Sequence, residues 1–266
     1  MKARLAVNLK PLLRRAMPGP YDRLQEMWTR YRVKRVVESI VARHGLVVQS
    51  GPFSGMAYAP QATCSSLTPK LLGSYEAELH GVLAQALEDG HDRIVDIGCA
   101  EGYYAVGLAR RLPTAMIHAF DINPLARELC ENMASANGVS DRVLVAGECS
   151  VNELRALTSE RSFIVCDCEG CELDLLRPDL APGLRFSDVL VELHDFIYPK
   201  ISQTIVSRFD ATHEITVLDS MERDPAVYPA LDDFSYFDRR VAVAEFREKG
   251  MQWAFMRSRS ARRRVR

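Results

Sequence analysis

The stretch that decides the fold is Arg93-Ile94-Val95-Asp96-Ile97-Gly98-Cys99-Ala100-Glu101-Gly102-Tyr103-Tyr104. Its first half is mostly apolar and predicts a buried strand, and the residues after Gly102 have helical spacing. A strand that ends in glycines and passes into a helix places backbone N–H groups beside a crevice at the carboxyl edge of a sheet. Asp96 adds a negative charge, and the Gly-Lys pair of a phosphate-binding loop is absent from this stretch. The stretch therefore predicts a site for a ligand that carries hydroxyls or positive charge.

A second strand, at 115–120, ends in an acidic residue about 20 residues after the glycine loop. This residue, Asp121, stands where nucleotide-binding βαβ units hold the ribose hydroxyls. Each charge-assisted hydrogen bond to such a carboxylate is worth about 1.5–3 kcal/mol. The alternative is that Asp121 only caps the helix that Pro124 opens. The spacing from the glycine loop favours the ribose interpretation.

Three motifs resemble those of one enzyme family. The run 95–102 resembles the first motif of class I S-adenosylmethionine-dependent methyltransferases, and Phe120-Asp121 resembles their ribose-binding acid. The run 166–173, Cys-Asp-Cys-Glu-Gly-Cys-Glu-Leu, resembles the Asp-x-Glu-Gly-x-Glu-Leu signature of FkbM-type methyltransferases. The resemblance covers residues 68 to 220 and implies S-adenosylmethionine as cofactor and O-methylation as activity. The cysteines at 166, 168 and 171 replace aliphatic or aromatic residues of that family, which leaves the acceptor open.

The rest of the chain predicts an α/β fold with a doubly wound, mostly parallel, seven-stranded Rossmann-like sheet. The strands are predicted at 93–97, 115–120, 142–146, 163–166, 188–193, 212–218 and 252–256, the last one antiparallel. A helix is predicted over 21–43, followed by a short strand or hairpin at 46–56. We predict an N-terminal appendage at 1–66 that covers the active-site mouth, a methyltransferase domain at 67–256 and a basic tail at 257–266.

Cofactor contacts are predicted where the first three strands end. These residues are Asp96, Gly98, Ala100, Gly102, Asp121, Ile122, Glu148 and Cys149. Which of the last two meets the adenine is left open. By the resemblance, the segment before the first strand lies over the cofactor, so Tyr75, with Lys70 and Glu76, is a candidate to contact the methionine end or close the pocket. The alternative is a helix packed on the sheet with solvated charges.

The predicted catalytic residues follow the fourth and fifth strands. Methyl transfer to a hydroxyl needs alignment and an acceptor for the proton. His194 is the predicted general base, with Asp195 or Glu192 to orient its ring. The carboxylates of Asp167 and Glu169 face the same crevice and fix the acceptor or take its proton. Glu172 is expected to start the following helix.

No metal is predicted. Cys168 and Cys171 have Cys-x-x-Cys spacing, but no second pair completes a zinc set, and strand-borne Cys166 points to the other face. A magnesium site made of Asp167, Glu169, Glu192 and His194 was an open alternative, although no full oxygen-ligand motif appears.

Charge is distributed unevenly along the 266 residues. Residues 1–15 hold five basic side chains and 257–266 hold six; removing these eleven from a net charge of −1 leaves −12 on the body. An acidic body argues against a nucleic-acid groove. Leu5, Leu9, Leu12 and Leu13 form a basic amphipathic pattern that hints at weak membrane-surface contact.

Seven cysteines, several of them in predicted strands, favour reduced thiols and a cytoplasmic location. The partner is predicted to be a small-molecule or saccharide acceptor. The alternative function is a non-catalytic binding module of the same fold, or a membrane-peripheral scaffold that uses its basic ends.

Overall fold

A seven-stranded sheet forms the centre of the molecule. The structure, a computed structural model, describes residues 18–63, 65–158, 162–247 and 250–260. The strands are β1 (Arg93–Ile97), β2 (Met116–Phe120), β3 (Val143–Ala146), β4 (Ser162–Cys166), β5 (Asp188–Leu193), β6 (His213–Asp219) and β7 (Gln252–Ser258). Their order is β3-β2-β1-β4-β5-β7-β6. The first five are parallel, and β7 runs antiparallel to both β5 and β6. The predicted fold class is confirmed, with each strand within two residues of its predicted bounds.

Helices cover both faces of this sheet. They are α1 (Pro18–His44), α2 (Leu67–Leu72), α3 (His80–Asp89), α4 (Tyr103–Arg111), α5 (Pro124–Ala136), α6 (Val151–Leu157), α7 (Glu172–Leu175), α8 (Ile201–Phe209) and α9 (Tyr236–Ala242). Short 3₁₀ turns lie at Ala77–Leu79, Pro182–Phe186, Pro225–Val227 and Pro229–Leu231. None of the helices in the described ranges is long and apolar enough to cross a membrane.

Alternation along the strands produces two apolar cores, one on each face. Successive strand residues point to opposite faces. Ile94 and Phe163 accordingly belong to one core cluster, and Val95 and Ile164 belong to the other. All four side chains are fully buried. A parallel sheet covered on both faces needs such continuous apolar strands, which is why the sequence of β1 and β4 reads as it does.

The N-terminal segment packs on the first of these cores. Ile40 of α1 and Phe53 of the following turn belong to the same cluster as Ile94. The hairpin predicted at 46–56 is present in a short form: Val47 and Ala57 form an isolated antiparallel bridge, and the Val48 N–H donates to the carbonyl oxygen of Met56 at 2.9 Å. Gly51 and Gly55 take positive φ values that suit the turns between the paired residues.

Some predictions fall on residues outside the described ranges. These are the amphipathic pattern at 5–13, the basic residues of 1–15, Cys64 and the last six residues of the basic tail. The six cysteines within the described ranges are all free thiols.

The strand order determines where a ligand can lie. In the order β3-β2-β1-β4-β5, the chain goes outward from β1 on one side and from β4 on the other. Such a switch point leaves a crevice outside the carboxyl ends of the two central strands. The loops that follow β1, β2, β4 and β5 therefore converge on one edge.

Candidate functional site

The loop after β1 is pressed against the loop after β4, and this contact requires glycine. Gly98 has φ +83°, and a Cβ on it would lie 1.6 Å from the carbonyl oxygen of Asp167. Gly102 has φ +99°, and its Cβ would lie 2.8 Å from the thiol sulfur of Cys130. The N–H groups of Gly98 and Cys99 both donate to the carbonyl oxygen of Phe120. The glycines thus let three strand ends close tightly on one another.

Asp121 is fastened to this loop by its side chain. Its Oδ2 accepts a hydrogen bond from the backbone N–H of Ala100 at 2.9 Å, and its Oδ1 accepts one from Asn123 at 2.8 Å. The helix cap is Asn123, whose Oδ1 accepts the N–H of Leu125. The capping alternative for Asp121 is therefore wrong. Each carboxylate oxygen keeps acceptor capacity, and the half-buried carboxylate lies beside Ile122, whose side chain is 79% exposed.

Asp96 is a buried carboxyl with one oxygen left unsatisfied. The residue is 2% exposed, and its Oδ2 has no hydrogen-bond partner among the described residues. Burial raises the pKa of Asp96 to about 7, against the opposing effect of the Ala105 N–H that donates to it, and nearby Asp121 raises it further. An ionisable group kept in so costly a position at a strand end is typical of a functional site.

Lys70 and Glu101 form a buried ion pair beside the loop. The Lys70 Nζ lies 2.5 Å from Glu101 Oε1, and both side chains are almost completely buried. Glu101 also accepts hydrogen bonds from the hydroxyls of Tyr58 and Thr63. Burial works to raise the pKa of Glu101, but Lys70 and these donors outweigh it and lower the pKa. Lys70 is thus engaged by the glycine loop itself, where the sequence made it a candidate for the methionine end of the cofactor.

Four carboxylates surround one histidine at the ends of β4 and β5. Nδ1 of His194 lies 2.7 Å from Oε1 of Glu172. Its Nε2 lies 3.4 Å from Glu192, 3.5 Å from Asp167 and 3.6 Å from Glu169. The His194 side chain is fully buried, and its Nε2 makes no hydrogen bond to any described residue. The structure therefore brings together the three predicted catalytic residues, which are separated by up to 27 positions in the sequence.

The charged groups of this cluster shift one another's pKa values. Burial would lower the pKa of His194, but the hydrogen bond to Glu172 and the nearby carboxylate of Glu192 raise it to about 10. Burial raises the pKa of Asp167 well above its usual range, and the neighbouring Glu192 carboxylate adds to the shift. Unlike His194, the carboxylates of Asp167 and Glu169 reach the surface of the crevice, with 28% and 66% of their side chains exposed.

The residue that orients His194 is Glu172, a role that the sequence assigned to Asp195 or Glu192. The Asp195 carboxylate instead accepts the backbone N–H of Ser202 at 3.0 Å and its hydroxyl at 2.5 Å, at the start of α8. Glu172 begins α7 as predicted, but its side chain is buried and also accepts the backbone N–H of Cys168. Only the turn of the chain after β4 brings Glu172 under the histidine.

Arg247, which the sequence did not single out, connects this cluster to the segment before β1. Its guanidinium donates to Glu192 at 3.0 Å and also to Glu76. It lies over the ring of Tyr75, 5.5 Å from the centroid, and the Nζ of Lys70 lies 4.7 Å from the same centroid. Tyr75 is buried and lies close enough to Asp167 for that carboxylate to raise its pKa. An arginine in a loop without a recognisable motif carries no sequence signal of such a role.

The candidate adenine contacts at the end of β3 differ in exposure. Cys149 is buried in a core cluster with Phe120 and Leu154, so its thiol lies among apolar side chains. Glu148 is exposed. The assignment of the adenine to one of them stays a prediction.

A family comparison agrees with this geometry. Residues 80–165, which run from α3 through β4, match the model of the methyltransferase small domain. This match includes the glycine loop and Asp121. The chain has the fold of a class I S-adenosylmethionine-dependent methyltransferase. The predicted cofactor, S-adenosylmethionine, agrees with this match, which covers residues 80–165. The predicted domain bounds, 67–256, stay a prediction, and the FkbM subfamily is not confirmed.

Individual relatives resemble this chain over only a short stretch or at low sequence identity. A tRNA1(Val) (adenine(37)-N6)-methyltransferase of Porphyromonas gingivalis is 34% identical over 70 residues, which are 26% of this chain and 28% of the relative. A putative O-methyltransferase from Klebsiella pneumoniae matches with 14% identity and a TM-score of 0.47, over 85% of this chain and 90% of that one. An O-methyltransferase from Bacillus cereus, solved with S-adenosylhomocysteine, has 14% identity and a TM-score of 0.44, over 85% and 91%.

The residues present suit the cofactor of this methyltransferase fold. Asp121 offers free acceptor capacity for two ribose hydroxyls, and the exposed side chain of Ile122 beside it offers an apolar surface for a base. The unsatisfied oxygen of Asp96 would accept a hydrogen bond from a charged amino group. These features lie on the loops of one sheet edge, next to the cluster around His194.

Proposed function

We propose that this chain is an FkbM-type methyltransferase that methylates a hydroxyl of a small molecule or saccharide. The observation that carries the proposal is the tight contact between two loops. The glycine loop that holds Asp121 touches the backbone of Asp167, so the nucleoside site and the group of acidic residues around His194 share one crevice.

Within this proposal, the chain's own residues bind and align the reactants. S-adenosylmethionine, when bound, supplies a methyl group on a positively charged sulfur that leaves as a neutral thioether. Asp121 holds the ribose, and the loop backbone positions it at the edge of the sheet. Alignment of this kind supplies about 7–11 kcal/mol towards the barrier. The acceptor hydroxyl meets Asp167 and Glu169 first, because these carboxylates are exposed, and one of them takes the hydroxyl proton.

The acidic rim supports a small, hydroxyl-rich acceptor. Asp167 and Glu169 lie at the crevice, and the buried Glu192 behind them is paired with Arg247. A polyanion such as tRNA, the substrate named for the P. gingivalis relative, would be repelled by such a rim. Hydroxyl groups donate hydrogen bonds to carboxylates without this penalty.

Calorimetry with S-adenosylhomocysteine tests the cofactor part of the proposal. We expect micromolar binding to the full chain and an affinity that is tenfold to a hundredfold lower in Asp121→Ala, because about 1.5–3 kcal/mol is lost with each charge-assisted hydrogen bond. The matched control is Asp141→Ala, which removes an exposed carboxylate before β3 and should leave the affinity unchanged. The absence of heat at millimolar ligand would refute the proposal.

Mass spectrometry tests the methylation part. Cell extract incubated with the protein and methyl-labelled S-adenosylmethionine should yield a labelled O-methyl product that is absent with Asp121→Ala. A protein that binds S-adenosylhomocysteine tightly but labels nothing would be a binding module of this fold. Label in RNA would overturn the proposed acceptor class.

A further inference from the structure

We propose that Asp167, Glu192 and His194 form a binding site for one divalent transition-metal ion. One oxygen of each carboxylate and one ring nitrogen of the histidine all lie within 4.8 Å of one another. The sequence predicted no metal, because the three residues match no spacing motif. The side-chain juxtaposition at the ends of β4 and β5 is what argues for one.

The unsatisfied nitrogen of His194 points into this group of oxygens. Nε2 is fully buried, yet it makes no hydrogen bond to any described residue. Its distances to Glu192, Asp167 and Glu169 are 3.4, 3.5 and 3.6 Å, longer than the usual charge-assisted hydrogen bond. Ligands held about 2.1 Å from one ion lie roughly 3.0–3.4 Å apart in octahedral or tetrahedral geometry. The distances from Nε2 are close to this spacing, and the two carboxylate oxygens, which lie within 4.8 Å of one another, would close onto an ion at the centre.

Glu172 gives the histidine the orientation that a metal ligand needs. Its Oε1 lies 2.7 Å from Nδ1 and is itself held by the backbone N–H of Cys168. With Nδ1–H donated to Glu172, Nε2 faces the open centre of the group. An ion bound there would displace the proton of Nε2 and take its lone pair. A carboxylate behind a ligating histidine is the usual arrangement in metal sites.

The negative charge of the group also favours a bound cation. Asp167 and Glu192 face Nε2 together, and Glu169 is the third carboxylate there. Arg247 neutralises Glu192 through its other oxygen, Oε1, which leaves Oε2 directed at the centre. A divalent ion would balance the carboxylates that the arginine does not reach.

The ligand types indicate which ions fit. Two carboxylates and one imidazole suit Mn²⁺, Fe²⁺ or Zn²⁺, whereas Mg²⁺ and Ca²⁺ prefer oxygen ligands alone. Three protein ligands leave positions open towards the crevice, where Asp167 is exposed. This role rests on the proposed function: an acceptor hydroxyl bound at an open position would lose its proton more easily. The O–H bond would break and the proton would pass to Glu169 and then to water. The oxygen lone pair would form the bond to the methyl carbon while the carbon–sulfur bond of S-adenosylmethionine breaks, and the electron pair of that bond would stay on the sulfur.

Manganese binding to the purified full chain tests the site directly. After dialysis against EDTA and its removal, titration with MnCl₂ should quench the signal of free Mn²⁺ in electron paramagnetic resonance, with one ion bound per chain. We expect no binding in His194→Ala. In Glu172→Gln, which removes only the supporting carboxylate, the affinity should be about 10–100-fold weaker. The matched control is His213→Gln, a buried histidine on β6 that bonds to the carbonyl oxygen of Ser187 and should not affect binding.

Calorimetry on the same samples separates this proposal from the previous one. S-adenosylhomocysteine should bind the EDTA-treated wild type and His194→Ala equally well, which also shows that the variant is folded. If the nucleoside binds and Mn²⁺, Zn²⁺ and Mg²⁺ do not, the metal site is wrong and the proposed function stands. If Mn²⁺ binds equally to wild type and His194→Ala, the ion lies elsewhere and the proposal is overturned. Tighter binding of Mg²⁺ than of Mn²⁺ would contradict the nitrogen ligand.

Discussion

Asp96→Asn should stabilise the protein and weaken cofactor binding at the same time. The Asp96 carboxyl is 2% exposed, has one oxygen without a partner and has a pKa raised to about 7 by burial. The ordinary value is 3.8, so the folded structure disfavours the ionised form by about 4 kcal/mol. An asparagine has the same shape and carries no charge at any pH. The substitution therefore removes the cost of a buried charge.

The sign of the pH dependence follows from these two pKa values. Between about pH 4 and 7 the folded protein retains the Asp96 proton and the unfolded chain has lost it. The free energy of unfolding of the wild type thus falls through this window by up to about 1.4 kcal/mol per pH unit, and this contribution is absent from the variant. The unpaired amide N–H group of the new asparagine offsets about 1–2 kcal/mol of this gain in stability. We expect Asp96→Asn to be about 2–3 kcal/mol more stable than wild type at pH 8 and about 1–2 kcal/mol less stable at pH 4.

Urea denaturation at several pH values measures this difference. The matched control is Asp188→Asn, which alters an equally buried carboxylate whose Oδ1 accepts the Ser258 N–H at 2.8 Å, and which should destabilise the protein. Calorimetry should show S-adenosylhomocysteine binding to Asp96→Asn about tenfold or more weakly, because a charge-assisted hydrogen bond is lost. A variant no more stable than wild type at pH 8, or a difference that does not change with pH, would refute the reasoning.

Three further variants test the structure around the site. Lys70→Met leaves the buried carboxylate of Glu101 unpaired and should lower the free energy of unfolding, measured with urea, by about 3–5 kcal/mol. The control Lys34→Met removes an exposed ion pair and should lower it by less than about 1 kcal/mol. Equal losses in the two variants would contradict the buried pair. Gly98→Ala should abolish S-adenosylhomocysteine binding or folding, because the added Cβ would clash with the carbonyl oxygen of Asp167. The control Gly138→Ala, also at positive φ but with no atom near the added Cβ, should bind S-adenosylhomocysteine normally. Asp195→Ala removes the hydrogen-bond acceptor at the start of α8 and should lower the free energy of unfolding by about 0.5–2 kcal/mol, with unchanged affinity for S-adenosylhomocysteine. A large loss of affinity would show that Asp195 contributes to the cofactor site.

The strands of the sheet were predicted well because the sequence features that indicate a strand are local. Apolar runs such as 93–97 and 188–193 have the length of buried strands, and glycine or proline residues mark their ends. The segment 46–56 forms only a short hairpin, with a single bridge between Val47 and Ala57, because its glycines at positive φ form turns and its apolar residues belong to the core. Strand pairing depends on neighbours elsewhere in the chain, which a short apolar run does not reveal.

The candidate site was predictable only in part, for a related reason. His194 and Asp167 stand at strand ends, so topology alone places them on one edge. Which carboxylate bonds to the histidine depends on turn geometry. The nearer residue, Asp195, bonds to Ser202 at the start of α8, whereas Glu172, 22 positions away, holds the ring. Arg247 lies 55 positions from Glu192 in a loop without a motif.

The sequence by itself determined the order of strands and helices, the glycine loop and the acidic residue at the second strand end, because each depends on neighbours along the chain. Only the tertiary structure decided that Glu172 orients His194, that Lys70 is engaged by Glu101, and that Nε2 of His194 faces three carboxylates without a hydrogen bond. The physical reason is that these contacts depend on distances of a few ångströms between side chains from different strands and loops, and on burial that raises the cost of any charge left unpaired.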